Sequence, residues 1–361
     1  MNLLSKRNSL RMFYFSYWSI IVYLIMVVPY QLKDIYSNFQ IGIILFVLIA
    51  FKFLSIPLFS KQKISKNFIY SLIGILSVST LLIPFVYNYF YALVLLGIII
   101  AIVSNYIISY FDMIKVKTYR KYLGSFRVYG SIGGFTLFVL LMLNLDIFYI
   151  IFFFIFLFLL SSTIIIYRSK KIYKVKNIDS EKKLFNFSSY YWVIAILLLG
   201  VMQFYHSFFG IYLIEYGDYE SFDINFLLAT GIFFEIIALF VAYKFLKKYD
   251  LKNVFLLATF ITGIRLICFD LFLDNFYVLI IVQSLHFFTM GLFFPSLLNL
   301  IKKYNHFNLN QALQFYNGFV DGLLKSSLLF GLSFLVFQNI FISLGIIIAI
   351  LPLFYKYVQK V

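Results

Sequence analysis

Long apolar runs follow one another along nearly the whole of this 361-residue chain. Each run approaches the ~20 residues that a helix needs to cross the hydrocarbon core of a membrane. A soluble domain of this length could not bury them all, since 63% of the residues are hydrophobic and 22% are aromatic. The runs lack the alternation of a β-barrel strand. We therefore expect an all-α membrane protein that crosses the membrane many times.

Twelve runs are predicted to span the membrane. They cover approximately residues 11–32, 39–58, 67–85, 88–110, 125–143, 147–167, 190–213, 223–243, 253–272, 276–300, 309–334 and 337–355. The longest polar stretch, residues 168–189, divides them six and six and has the charged, weakly apolar composition of a flexible cytoplasmic linker. We expect residues 1–167 and 190–361 to form two six-helix bundles.

The basic residues predict which helix ends face the cytoplasm, because Lys and Arg concentrate in cytoplasmic loops. With the amino terminus inside, most of the chain's 30 Lys and Arg residues fall in cytoplasmic segments. Outer loops hold acidic residues such as Asp34 and Glu215, and one basic residue, Lys33. Both termini are thus predicted to be cytoplasmic. The net charge of +16 is explained by this topology and by attraction to anionic lipid headgroups. We therefore expect membrane lipids as partners and no nucleic-acid partner.

Motifs for chemistry on bound cofactors or metals are missing from the sequence. The single cysteine, Cys268, lies inside a predicted span, so we expect neither a disulfide framework nor a metal cluster. The chain has no metal-spaced His cluster and no phosphate-binding Gly-Lys-Ser or Gly-Lys-Thr loop. We predict that the protein is not an enzyme and uses no cofactor.

A carboxylate, Glu235, stands in the middle of the eighth run, FLLATGIFFEIIALFVAY. A charge at the centre of a membrane helix costs roughly 2.5–3.5 kcal/mol, which predicts a functional role. Lys52 holds a matched position in the first half, since KFLSIPLFSKQKISKNF (from Lys52) and EIIALFVAYKFLKKYDLKNVF (from Glu235) each join an apolar helix end, a basic turn and a new helix. Repeats of this kind are typical of transporters with a site near the midplane.

Further segments point to one family. The segment FRVYGSIGG (126–134) opens the fifth run, Arg265 lies in the ninth, QSLHFFTMG (283–291) lies in the tenth, and Gln311 leads into the eleventh. Together with the Glu235 helix and its basic turn, they resemble the major facilitator superfamily, in its branch of phenylpropionate permease-like and lactose permease-like proton symporters. The resemblance implies two six-helix bundles and alternating access.

Two features depart from that family's pattern. The turn between the second and third runs, SKQKISK, contains neither glycine nor acid. Lactose permease-like symporters carry an acid three residues after the tenth-helix histidine, whereas His286 is followed at that spacing by Thr289. Fewer proton-carrying groups are then available in this chain.

Three residues are predicted to couple transport to protons: Glu235, Arg265 and His286. The rise of ~1.5 Å per helical residue puts them at similar depth, near the midplane. The protonation of a buried carboxylate depends on the charges near it. Our hypothesis is that Glu235 is protonated in the substrate-loaded state and, once deprotonated, pairs with Arg265 or Lys52. The alternative is a static Glu235–Arg265 ion pair that holds the eighth and ninth helices together.

Other polar residues within the runs are predicted to line a substrate cavity: Lys52, Asn105, Gln203, His206, Gln283, Asp321 and Lys325. Asp321 and Lys325, spaced i to i+4, would equally suit a self-neutralising pair. Ordinary interhelical hydrogen bonds would also explain Asn105 and Gln283. A third set is predicted to serve gating or close helix packing: Arg127, Gly130, Ser131, Gly133, Gln311, Gly318 and Gly322.

Together these features predict a secondary active transporter for a small organic solute, coupled to protons. An aromatic or other organic acid is the first expectation, since Lys52 and Arg265 would suit a carboxylate. The first alternative is a sugar or nucleoside proton symporter. The second is a lipid-linked oligosaccharide flippase or membrane-embedded transferase. We expect a monomeric, multi-pass protein of a bacterial cytoplasmic (inner) membrane.

Overall fold

The structure is a computed structural model and describes residues 5–55, 58, 65–118, 125–169, 189–304 and 316–358. These residues are almost entirely helical, and none of them lies in a strand. In chain order the helices are α1 (Lys6–Gln31), α2 (Asn38–Leu54), α3 (Lys66–Val86), α4 (Phe90–Thr118), α5 (Ser125–Met142), α6 (Ile147–Arg168), α7 (Ser189–Gly217), α8 (Ser221–Lys248), α9 (Leu251–Leu271), α10 (Phe276–Ile301), α11 (316–333) and α12 (Ile340–Val358).

Eight of these helices are long and apolar enough to cross a membrane, namely α1, α3, α4, α6, α7, α8, α9 and α10. Shorter apolar helices are found within α2, α5 and α12. The prediction of an all-α, multi-pass membrane protein is therefore confirmed. The count of twelve spans and the cytoplasmic position of the termini stay predictions. The expected linker at 168–189 lies largely outside the described residues, so the division into two bundles stays a prediction as well.

The helix surfaces match an apolar surrounding. Large side chains such as Phe152, Phe156 and Phe240 are more than half exposed. So many outward-facing aromatic rings would be unfavourable in water, whereas contact with lipid chains stabilises them. The polar residues within the helices instead lie mostly inside the protein, among them Asn105, Glu235 and Arg265.

Three breaks from regular α-helical geometry occur beside charged or titratable residues. A 3₁₀ turn at Phe51–Leu54 ends α2 and contains Lys52. A π-helical stretch at Thr289–Phe293 follows His286 in α10. A second, Tyr316–Leu324, contains Asp321 and opens the described part of α11. Such irregular turns are frequent at functional sites, because they re-aim side chains that an α-helix would direct elsewhere.

Among the described residues, the main contacts between the first and second halves of the chain join α1 to α7, α2 to α11 and α5 to α8. Glycines allow close approach at several crossings. A Cβ at Gly42 would lie 2.1 Å from Ser333 Oγ, between α2 and α11. The predicted packing glycines Gly130 and Gly133 face Trp18 and Phe15 of α1, and their neighbour Gly134 faces both α1 and α8. Gly318 and Gly322 lie in α11.

Candidate functional site

Glu235 of α8 is only 9% exposed and has partners on two other helices. Ser131 Oγ donates a hydrogen bond of 2.9 Å to Glu235 Oε1. Arg127 Nε, also from α5, lies 4.0 Å from the same oxygen. His286 Nε2 of α10 lies 3.3 Å from Oε2. Each carboxylate oxygen therefore faces a different group, with α5 on one side and α10 on the other.

The approach of α8 to α10 depends on glycine at two positions. A Cβ at Gly231 would lie 3.1 Å from Gln283 Oε1. One at Gly291 would lie 2.2 Å from the Cβ of Ala238. Gly291 has no room for a side chain, and a Cβ at Gly231 would require Gln283 to shift slightly. The two glycines flank Glu235 and His286 along the two helices. The small residues therefore bring the carboxylate within reach of the imidazole.

Arg265 of α9 is 1% exposed, and both of its terminal nitrogens are occupied. Nη1 contacts His286 Nδ1 at 2.8 Å and Thr289 Oγ1 at 3.4 Å. Nη2 donates to Gln283 Oε1 at 2.6 Å and lies 3.4 Å from the hydroxyl of Tyr205. The guanidinium also lies over the Tyr205 ring, 4.8 Å from its centroid. Because these partners surround the guanidinium, its two terminal nitrogens cannot also bond to a solute in this conformation.

In this structure the contacts of Glu235 differ from the predicted pairing with Arg265 or Lys52. The described residues include no ion-pair contact between Glu235 and Arg265, because His286 stands between the two side chains and touches both. Neither the switching pair nor the static pair is therefore present in this conformation. Lys52 likewise makes no contact with Glu235. The predicted coupling residues do come together, but in the order Glu235, His286, Arg265.

Lys52, Asp321 and Lys325 form a second group, here called the lysine cluster, where α2 meets α11. Lys325 Nζ donates to Asp321 Oδ1 at 2.8 Å, so the predicted i to i+4 pair is formed. Lys52 interacts electrostatically with both residues. Its ammonium has no hydrogen bond or ion pair with any described residue. Arg127, which lies 4.0 Å from Glu235, also interacts electrostatically with Asp321.

The remaining predicted residues differ in their surroundings. Asn105 Nδ2 donates to the carbonyl of Lys52 at 2.9 Å and to Ser55 Oγ at 2.7 Å, so it holds the end of α2. Gln203 bonds to Ser207 along its own helix. The His206 ring meets that of His286 edge-on at 5.2 Å, and its buried Nε2 has no hydrogen-bond partner among the described residues. Gln311 lies outside the described residues.

Two contributors went unrecognised as site residues in the sequence. The hydroxyl of Tyr205 accepts a 2.9 Å hydrogen bond from Gln283 Nε2 beside its contact with Arg265. As one of 30 tyrosines it carried no distinguishing signal. Thr289 had a weak signal, since it occupies the position of an expected acid and here contacts Arg265.

Comparisons with known proteins agree on the class of this chain. The model of the MFS_1 like family matches residues 8–353. A crystal structure of a point mutant of the nucleoside transporter NupG shares the fold with a TM-score of 0.75 and 13% identity, over 99% of each chain. A second structure of NupG has a TM-score of 0.74 and 13% identity, over 100% of each chain. A search of curated proteins finds no match.

At this identity the likeness to NupG shows the fold alone. The narrower branch of permease-like symporters stays a prediction. The family match, however, extends over almost all of the sequence and both predicted bundles. The chain therefore belongs to the MFS_1 like family and is a transporter of the major facilitator superfamily, not an enzyme.

Proposed function

We propose that the protein is a proton-coupled symporter that moves a small polar solute by alternating access between two six-helix bundles, with twelve spans and both termini in the cytoplasm. One observation carries the coupling: the buried Glu235 carboxylate of α8 touches α5 through Ser131 and Arg127, and α10 through His286. A titratable group in this position can link proton binding to the contact between the bundles.

The proposed step is electrostatic. While Glu235 is ionised, it attracts Arg127 across the α5–α8 contact. A proton on Glu235 removes that attraction, so α5 can separate from α8 more easily. Arg127 still interacts electrostatically with Asp321 and lies over the Phe294 ring of α10, 3.5 Å from its centroid. Proton binding thus favours one arrangement of the bundles over the other, which is what coupling requires.

A nucleoside or sugar is the first candidate substrate. Its support is the likeness of the fold, over the full chain, to a protein described as a nucleoside transporter. His206 adds a buried ring nitrogen that lacks a partner among the described residues and could bond to a hydroxyl or a base. Such a neutral solute needs no counter-charge from the protein.

An organic acid is the second candidate, and one observation favours it. The lysine cluster holds two cations, Lys52 and Lys325, against the single carboxylate of Asp321. Lys52 is half-buried, and an ammonium without a close counter-ion is unfavourable in a medium of low polarity. A solute carboxylate beside Lys52 would supply the missing charge. Arg265, which the sequence suggested as its second ligand, is occupied by other partners.

Binding to purified protein distinguishes these candidates. Uridine, glucose and benzoate represent the three solute classes, and the melting temperature is measured with each at pH 6 and pH 8. Because Glu235 takes up a proton in the loaded state, the shift should be larger at pH 6, and Glu235→Gln should remove that dependence. Lys52→Met should abolish binding of benzoate but leave that of uridine or glucose. A shift equal at both pH values contradicts the coupling.

We further propose that the protein works as a monomer in a bacterial cytoplasmic membrane, with protons and lipids as its other partners. Light scattering of detergent-solubilised protein at the mass of one 42.6 kDa chain would support this state.

A further inference from the structure

We propose that Arg265 is a positioning residue that holds His286 as the neutral tautomer with its proton on Nε2, so that the coupling proton loads onto Glu235 and not onto the imidazole. The consequence for transport rests on the proposed function. The tautomer itself is a property of the folded protein and can be measured without any substrate.

The contact between the guanidinium and the imidazole fixes the proton of one ring nitrogen. Arg265 Nη1 lies 2.8 Å from His286 Nδ1. A guanidinium has only donors, because none of its nitrogens carries a free lone pair. Arg265 must therefore donate, and Nδ1 must accept. An accepting Nδ1 has no proton, so the single proton of the neutral ring lies on Nε2.

The other ring nitrogen faces the carboxylate. His286 Nε2 lies 3.3 Å from Glu235 Oε2. With its proton on Nε2, the ring donates toward a carboxylate oxygen that accepts. Hydrogen bonds then run in one direction, from Arg265 to His286 to Glu235. The opposite tautomer would place two donors face to face at Nδ1 and leave Nε2 without a proton to share with the carboxylate.

A second proton on the ring is excluded by its surroundings. It would have to sit on Nδ1, facing the guanidinium 2.8 Å away, within a region where Arg265 and His286 are 1% and 4% exposed. The charged and titratable groups around the ring are Glu235 of α8, Arg265 of α9, Arg127 of α5 and His206 of α7. Glu235 is the one anion of this set. It faces Nε2 and therefore does not stabilise a proton on Nδ1.

Arg265 cannot simply turn away from the ring. Nη2 is bonded to Gln283 Oε1, and Gln283 Nε2 in turn bonds to Tyr205. This arrangement sets both the amide orientation of Gln283 and the plane of the guanidinium. The remaining acceptor for an incoming proton is the Glu235 carboxylate, where Oε1 faces Ser131. In this way Arg265 acts on the proton site through His286 without touching it.

Nitrogen NMR on ¹⁵N-histidine-labelled protein tests the tautomer. The chain has three histidines, so His206→Asn with His306→Asn leaves His286 as the single signal, and the wild-type spectrum checks that it has not moved. We expect an unprotonated Nδ1 and a protonated Nε2 at both pH 6 and pH 8. A protonated Nδ1, alone or together with Nε2, would overturn the proposal.

Variants of Arg265 test the cause. Arg265→Met removes the donor and should let Nδ1 bind a proton, visible as a new tautomer or a doubly protonated ring at pH 6. Arg265→Lys keeps a donor-only cation and should retain the wild-type pattern. An unchanged pattern in Arg265→Met overturns the role of Arg265. If that variant does not fold, the wild-type spectra at the two pH values still decide the tautomer. Should Glu235→Gln retain coupled transport while the tautomer is as expected, only the proposed function fails.

Discussion

At the scale of residues, Glu235 depends on several partners from different helices. Ser131 and His286 contact opposite oxygens, and Arg127 approaches one of them. Two hydrogen bonds and one longer electrostatic contact therefore stabilise the buried charge of Glu235. Because two of these partners lie on α5, movement of that helix would remove both at once.

The polar shell of Arg265 should contribute measurably to stability. Tyr205→Phe removes the hydroxyl that Gln283 and Arg265 contact. A buried donor left unpaired costs about 1–3 kcal/mol, so the melting temperature in detergent should fall. Tyr149→Phe is the matched control, since Tyr149 is 71% exposed and its loss of a hydroxyl should have little effect. Equal melting temperatures for the two variants would show that the Tyr205 hydroxyl does not stabilise the shell.

The sequence predicted which charged residues gather but not which of them touch. Helical rise predicted a similar depth for Glu235, Arg265, His286, Lys52 and Asp321. In the structure His286 contacts both Glu235 and Arg265, whereas Lys52 and Asp321 belong to the separate lysine cluster. The direction in which each helix presents its side chains is set by packing, which no single sequence displays. The sequence therefore did not predict that His286 lies between Glu235 and Arg265, or that Tyr205 bonds to Gln283.

At the scale of elements, α9 and α12 cross on a pair of glycines. A Cβ at Gly263 would lie 2.5 Å from the backbone nitrogen of Ala349, and one at Gly345 would lie 2.7 Å from the backbone oxygen of Gly263. Backbone atoms this close cannot move aside to make room for a methyl group, as the end of a flexible side chain can. The crossing therefore tolerates nothing larger than hydrogen at these positions.

Alanine substitution tests the crossing. Gly263→Ala should destabilise the protein by about 1–3 kcal/mol, because the added methyl forces α9 and α12 apart. Gly331→Ala in α11 is the control, since a Cβ there meets no atom within 4 Å. That variant should be neutral or stabilise the helix by about 0.5–1 kcal/mol. Similar melting temperatures for both variants would contradict the tight crossing.

Apolar run length predicted the bounds of α9 closely but ended the fourth run at 110 and the eighth at 243, whereas α4 continues to Thr118 and α8 to Lys248. The predicted ninth run, 253–272, compares with Leu251–Leu271 for α9. The breaks at Lys52, after His286 and around Asp321 were not predicted. A change from α to 3₁₀ or π geometry alters one or two hydrogen bonds and leaves the apolar pattern almost unchanged.

At the scale of the whole molecule, the two halves are joined at the end that is predicted to face outward. Lys33 forms an ion pair with Glu215 of α7, and the hydroxyl of Tyr30 donates to Asn225 of α8 at 3.1 Å. The rings of Phe39 and Phe334 meet at 4.7 Å between α2 and α11. Alternating access would have to open these contacts together.

The Lys33–Glu215 pair should behave as a coupled unit. Lys33→Glu and Glu215→Lys should each lower stability, and the double exchange should recover it, with a coupling of about 0.2–1 kcal/mol as for partly exposed pairs. A double-mutant cycle of thermal unfolding measures that value. Glu220→Lys changes the same outer charge at an exposed position and serves as control. Strict additivity would show that the pair does not join the halves.

Fold class was the most predictable property of the molecule. Apolar runs, the paired segments around Lys52 and Glu235, and FRVYGSIGG together predicted the superfamily that the family match confirms. The solute was much less predictable, because a few side chains in a shared fold decide it. Joint binding of a carboxylate by Lys52 and Arg265 stays a prediction, and in this structure the terminal nitrogens of Arg265 contact His286 and Gln283.

Proton coupling through Glu235 is tested most directly by accumulation of solute by reconstituted protein in liposomes with an acidic exterior. Uridine and benzoate are supplied in turn, and uptake against a gradient is compared with exchange at equal concentrations. Glu235→Gln should lose accumulation but keep exchange, because the carrier still moves without a proton to bind, while Glu220→Gln should behave as wild type. Accumulation by Glu235→Gln at the wild-type level would contradict the central claim that this carboxylate carries the coupling proton.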